Sequence, residues 1–65
     1  METDEKLMTP KQLAKYMGIA PYTLGQYRIQ GRGPKYIKLG NRLIRYRPSD
    51  VQEWIDEELE KNSAM

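Results

Sequence analysis

Prolines and glycines punctuate the first 48 residues of this 65-residue chain at intervals too short for a long helix or a wide sheet. Pro10, Pro21 and Pro48 each suit the first position of a helix, where a fixed φ and a missing N–H cost nothing. Gly18 and Gly31 suit the left-handed residue that closes one. The side chains between these marks agree. Thr9 fits an N-cap, Gln12 completes a Thr-x-x-Gln capping box, and Met8 and Leu13 take the staple positions around it. A first helix is thus predicted from Pro10 to Met17, with Leu13, Ala14 and Met17 on its apolar stripe. A second runs from Pro21 to about Gln30 with Leu24 and Tyr27 inward, although Ala20 offers no capping oxygen.

After the Arg32-Gly33-Pro34 loop the period changes. Ile37 and Leu39 alternate with Tyr36 and Lys38, then Ile44 and Tyr46 alternate with Leu43, Arg45 and Arg47. Around Gly40-Asn41 this predicts a β-hairpin with a two-residue turn, Ile37, Leu39, Ile44 and Tyr46 facing inward, and Lys38 and Arg45 facing out. Pro48 opens a third helix in which Asp50 can accept from freed amides, and Val51, Trp54, Ile55 and Leu59 form the buried face. Residues 1–7 read as a disordered lead-in, 8–60 as one domain and 61–65 as a frayed tail. The expected fold is mainly α with a small β-hairpin, in the order helix-helix-hairpin-helix. One small core consumes these stripes, so the free protein is expected to be a monomer.

Charge is sharply divided. Ten basic residues lie between Lys6 and Ser49 without one carboxylate, while all nine acidic residues lie outside that stretch. The net charge of +2 conceals this polarity. A uniformly cationic segment suits a polyanion, whereas an ordinary solvated surface mixes both signs. Histidine and cysteine are absent, which removes the commonest general base and the commonest metal ligands and excludes a disulfide framework. The chain is therefore expected to bind rather than catalyse, with no cofactor, no metal and no catalytic residue. No apolar run approaches the roughly 20 residues of a membrane span, and the acidic start is unlike a signal peptide, so a cytoplasmic location is expected.

Two short helices joined by Gly18-Ile19-Ala20 have helix-turn-helix spacing: small Ala14 permits close approach, Gly18 turns the chain, and Ile19, Leu24 and Tyr27 lock the pair. One face of the second helix is then free for a DNA major groove, and the hairpin is a wing. Tyr22, Thr23 and Gln26 lie off the buried stripe as candidates for base contact. Gln26 can pair with adenine; Thr23 suits either a base edge or a bond within the helix's first turn. Tyr22 suits either a sugar–phosphate edge or the surface of the first helix. Gly25 among them would let the helix approach the groove closely. Arg28 and Arg32 suit phosphates, as does Lys15 unless it is plain surface charge. Asn41 and Arg42 occupy the wing tip; Asn41 is explained by the turn alone, Arg42 is not. Asp56 and Glu60, on the acidic face of the third helix, are candidates to meet a basic partner.

Leu7-Met8-Thr9-Pro10-Lys11-Gln12-Leu13-Ala14, Gly18-Ile19, Thr23-Leu24 with Tyr27, Gly33-Pro34, Ile37-Lys38-Leu39-Gly40, Ile44-Arg45-Tyr46 and Ser49-Asp50-Val51 with Trp54-Ile55 resemble the excisionase-like winged-helix domains. Those domains are related to MerR-type and AlpA-like regulators, and the resemblance runs from about Leu7 to Leu59. It implies a phage or mobile-element protein of a bacterial or infected host cell. Its role would be that of an excisionase, or recombination directionality factor, binding double-stranded DNA sequence-specifically. A small phage-type transcriptional regulator is the alternative within that class. From another class, the alternative is a protein-interaction module using the acidic C-terminal helix. An integrase or recombinase, or neighbouring copies on DNA, are the implied protein partners.

Overall fold

The punctuation is reproduced in the computed structural model, which describes residues 6–63. Helix α1 spans Pro10–Met17 and α2 Pro21–Gln30; strands β1 (Ile37–Leu39) and β2 (Leu43–Arg45) form an antiparallel hairpin, and α3 spans Pro48–Ser63. This is a winged helix-turn-helix. Residues 1–5 of the expected lead-in (1–7) and residues 64–65 of the expected tail (61–65) lie outside the described residues. α3 continues beyond residue 60, where the domain was expected to end, and Lys61 pairs with Glu58 at 3.3 Å in that added turn.

The capping box at α1 is complete: the Gln12 amide donates to Thr9 Oγ1 and the Thr9 amide to Gln12 Oε1, each at 3.0 Å. Both α1 and α2 end in Schellman turns. Gly18 and Gly31 take φ of 73° and 71°, and the following Ile19 and Arg32 amides donate to Ala14 and Tyr27 carbonyls at 2.9 and 2.8 Å. At α2's start Ala20 gives no side-chain cap, as its methyl dictates, and the Thr23 amide donates instead to the Ala20 carbonyl at 2.9 Å. At α3 the Asp50 carboxylate accepts from Arg47 Nε at 2.8 Å.

Leu13, Ala14, Leu24, Tyr46 and Val51 form the core, with Met8, Met17, Ile19, Tyr27, Ile44 and Ile55 packed around it. Met8 and Tyr46 exchange two backbone hydrogen bonds of 2.8 and 2.9 Å, an isolated bridge that stitches the start of the domain to the root of the hairpin. Trp54 is half-buried, at the margin of that core, with its ring 6.1 Å from that of Tyr27.

The hairpin departs from expectation in one instructive way. Leu39 pairs with Leu43, leaving the three residues Gly40-Asn41-Arg42 in the turn, not two. A two-residue type I′ turn needs positive φ at both central residues; Gly40 takes 64°, but Asn41 does not take a positive φ. The extra residue shifts the register by one, which turns β1 over relative to β2. Lys38 now stands across from Ile44, whereas Ile37, Leu39, Leu43 and Arg45 share the other face; Lys38 is nonetheless exposed, and Ile37 and Arg45 are half-buried. Leu39 and Leu43 are accordingly exposed. Leu59, expected in the core, is also exposed, at 63%, because its turn of α3 lies beyond the packing partners of Val51 and Ile55. The core thus leaves several large apolar side chains outside, and the premise that it consumes every stripe is corrected.

Candidate nucleic-acid interface

Burying Leu24 against α1 dictates what the rest of α2 presents. Tyr22, Gln26 and Ile29 stand at i, i+4 and i+7, one stripe on the side opposite Leu24. Tyr22 is 74% and Ile29 79% exposed; Gln26 is half-buried between them. Thr23 lies half-buried on one flank. Gly25 lies on the other, where a Cβ would meet the Arg28 guanidinium at 3.7 Å. Tyr22 and Gln26, both candidates from the sequence, thus share one face, and Ile29, which the sequence did not single out, stands three residues beyond Gln26 on the same face. A large apolar side chain at such exposure, on a face that otherwise offers a phenol and an amide, can meet a thymine methyl. No carboxylate stands in the first turn of α2, so its positive dipole end is unopposed there.

The C-terminal end of α2 is cationic. Arg28, Arg32, Lys35 and Tyr36 surround an open cleft of about 440 Å³ over the Gly31–Pro34 backbone. Arg32 is drawn back over the Tyr27 ring, 4.8 Å from its centroid, and donates to Gln30 Oε1 at 3.3 Å. Gly33 closes that arrangement, for a Cβ there would approach Tyr27 to 3.0 Å. Arg28 is turned inward: its Nη1 donates to the Tyr46 hydroxyl at 2.7 Å, and its guanidinium lies 5.9 Å from the Tyr36 centroid. Lys15 is exposed in the last turn of α1, and Asn41 and Arg42 are exposed at the hairpin tip. Among the described residues, Lys11, Lys15, Lys35, Lys38 and Arg42 form no ion pair with a carboxylate.

The acidic residues occupy α3. Asp56 accepts from Gln52 Nε2 at 3.0 Å, and Asp56, Glu57 and Glu60 surround exposed Leu59 around a cleft of about 400 Å³. Lys35, Tyr36 and Tyr46 were not singled out from sequence as parts of the site. Their roles arise from a tertiary contact between α2 and the hairpin that no local spacing announces. Among the described residues no cluster of three or more potential metal ligands occurs, and no helix is long and apolar enough to cross a membrane.

A family model described as a helix-turn-helix domain matches residues 7–58. No curated protein and no solved structure matches the chain significantly. The matched span takes in α1, α2, the hairpin and most of α3. Such a domain supports sequence-specific DNA binding. The chain belongs to this excisionase-like, AlpA-type helix-turn-helix family.

Proposed function

We propose that α2 enters the major groove of duplex DNA and reads it with Tyr22, Thr23, Gln26 and Ile29. Lys15 and Arg32 engage phosphates beside the groove, and Arg42, with Asn41 shaping the turn, reaches an adjacent phosphate or the minor groove. The observation that carries this reading is the exposed α2 stripe beside cations that have no carboxylate partners, while the acid is confined to α3. An interface neutralising about four to six phosphates should show log affinity falling against log salt with a slope of roughly −4 to −5. Fluorescence anisotropy on a duplex across a salt series tests it, and a slope near zero refutes it.

The biological role that follows best is recombination directionality, with a phage-type regulator as the alternative. A single module buries only about 600–1,000 Å² on DNA, so it gains from neighbours on adjacent repeats. Arg42 beside the apolar Leu39–Leu43 face of the hairpin complements Leu59 among Asp56, Glu57 and Glu60, which suits head-to-tail contact between copies on DNA while the free protein stays monomeric. The same acidic face would be the working surface of a protein-interaction module, or the seat of a recombinase. Gel-shift titration on one-site and two-site duplexes separates these. Cooperative filling of direct repeats supports the excisionase reading. A stable free dimer, or preference for a palindrome, supports the regulator.

A further inference from the structure

Arg28 has a cation's length and a place on the recognition helix, yet its side chain is half-buried and turned into the protein. Its partner is an unusually fixed point. The Tyr46 ring is 1% exposed, its backbone is held in both directions by Met8, and its hydroxyl accepts from Arg28 Nη1 at 2.7 Å. The Tyr36 ring lies 6.2 Å from that of Tyr46 and 5.9 Å from the guanidinium, completing an Arg28–Tyr46–Tyr36 group that joins α2 to the hairpin.

We propose that Arg28 is a positioning residue: through the Tyr46 hydroxyl it fixes the recognition helix relative to the wing, and so sets sequence discrimination and not gross affinity. The proposal rests on the DNA-binding reading of α2. Base readout needs donors and acceptors registered to a base edge, so a helix free to shift against the wing loses it. Phosphate contacts through long, rotatable cations tolerate such a shift, because any nearby phosphate will serve. The choice of partner has its own logic. A carboxylate would hold Arg28 more strongly, but it would neutralise the charge and repel an approaching phosphate. A phenol orients the guanidinium without adding a carboxylate close to the recognition helix.

The test uses a duplex enriched from a random library by the wild-type protein, with poly(dI-dC) as non-specific competitor, and two variants. Tyr46→Phe removes only the hydroxyl and keeps the core ring; Arg28→Ala removes the other partner. Each should lower the ratio of specific to non-specific affinity about tenfold, the scale of a lost hydrogen bond to a charged group. The double variant should lose no more, and the salt slope should remain that of wild type. In the free protein, urea unfolding of the same set should be non-additive, since the two side chains share one bond. Additive unfolding losses would overturn the brace. So would a Tyr46→Phe protein as selective as wild type, or an Arg28→Ala protein whose salt slope drops by about one, which would mark Arg28 as a phosphate contact. Failure of the wild type to enrich any duplex would instead sink the DNA-binding reading, and the unfolding cycle would still decide the brace.

Discussion

Gly25→Ala isolates what a missing side chain does in the middle of a recognition helix. Gly25 lies in α2 without a positive φ, so alanine can adopt its backbone unchanged. The new methyl would find its nearest neighbour, Arg28 Nη2, at 3.7 Å, an ordinary van der Waals distance. No strain is introduced, and the cost of a mid-helix glycine, about 0.5–1 kcal/mol, is removed. For a domain of this size, 1 kcal/mol corresponds to roughly 4–8 °C, so the melting temperature should rise by about 2–8 °C. Circular dichroism melts and urea titration read this directly. The methyl would stand one turn from both Tyr22 and Ile29, at the edge of their stripe and beside Arg28, and a single small group there should change affinity for a selected duplex by no more than about twofold. A lower melting temperature would show that the guanidinium cannot give the methyl room. A higher melting temperature with clearly weaker binding would show instead that DNA comes close to the backbone at Gly25, as the sequence by itself suggested.

Arg42→Ala should weaken binding to most sequences alike and reduce the salt slope by about one, read by anisotropy at several salt concentrations. Thr9→Ala removes the hydroxyl that accepts from the Gln12 amide while keeping the backbone amide that donates to Gln12 Oε1, and should cost about 1 kcal/mol, a fall of roughly 4–8 °C in the melt. Leu43→Ser should leave stability within about 0.5 kcal/mol, whereas Ile44→Ala should cost about 1–3 kcal/mol; the reverse order would mean that the hairpin's faces are assigned backwards.

The helices were legible because their boundaries are written in local chemistry. Thr9, Pro10 and Gln12 start α1, and glycines at 18 and 31 stop α1 and α2, each within a few residues. The hairpin was legible as a hairpin but not in its faces, since the decisive quantity is turn length, and Gly40-Asn41 gives no sign that Arg42 belongs to the turn. Leu59 continues the helical period of Val51 and Ile55, but periodicity cannot reveal where the core beneath a helix ends. In the candidate interface, the shared face of Tyr22 and Gln26 follows from their spacing around Leu24. Arg28 with Tyr46, separated by 18 residues, does not, because only folding brings them together.

The division of charge makes net charge a poor guide to how this molecule behaves near another surface. At physiological salt the Debye length is about 8 Å, well short of even the smallest extent of the fold, 20 Å. An approaching surface therefore senses the nearest patch and not the sum, and the sequence pI of 9.0 describes neither. The basic segment should hold the protein on a cation exchanger and the α3 face should hold it on an anion exchanger in the same buffer, each in its own orientation. On a surface dense in phosphate only the first of these orientations survives.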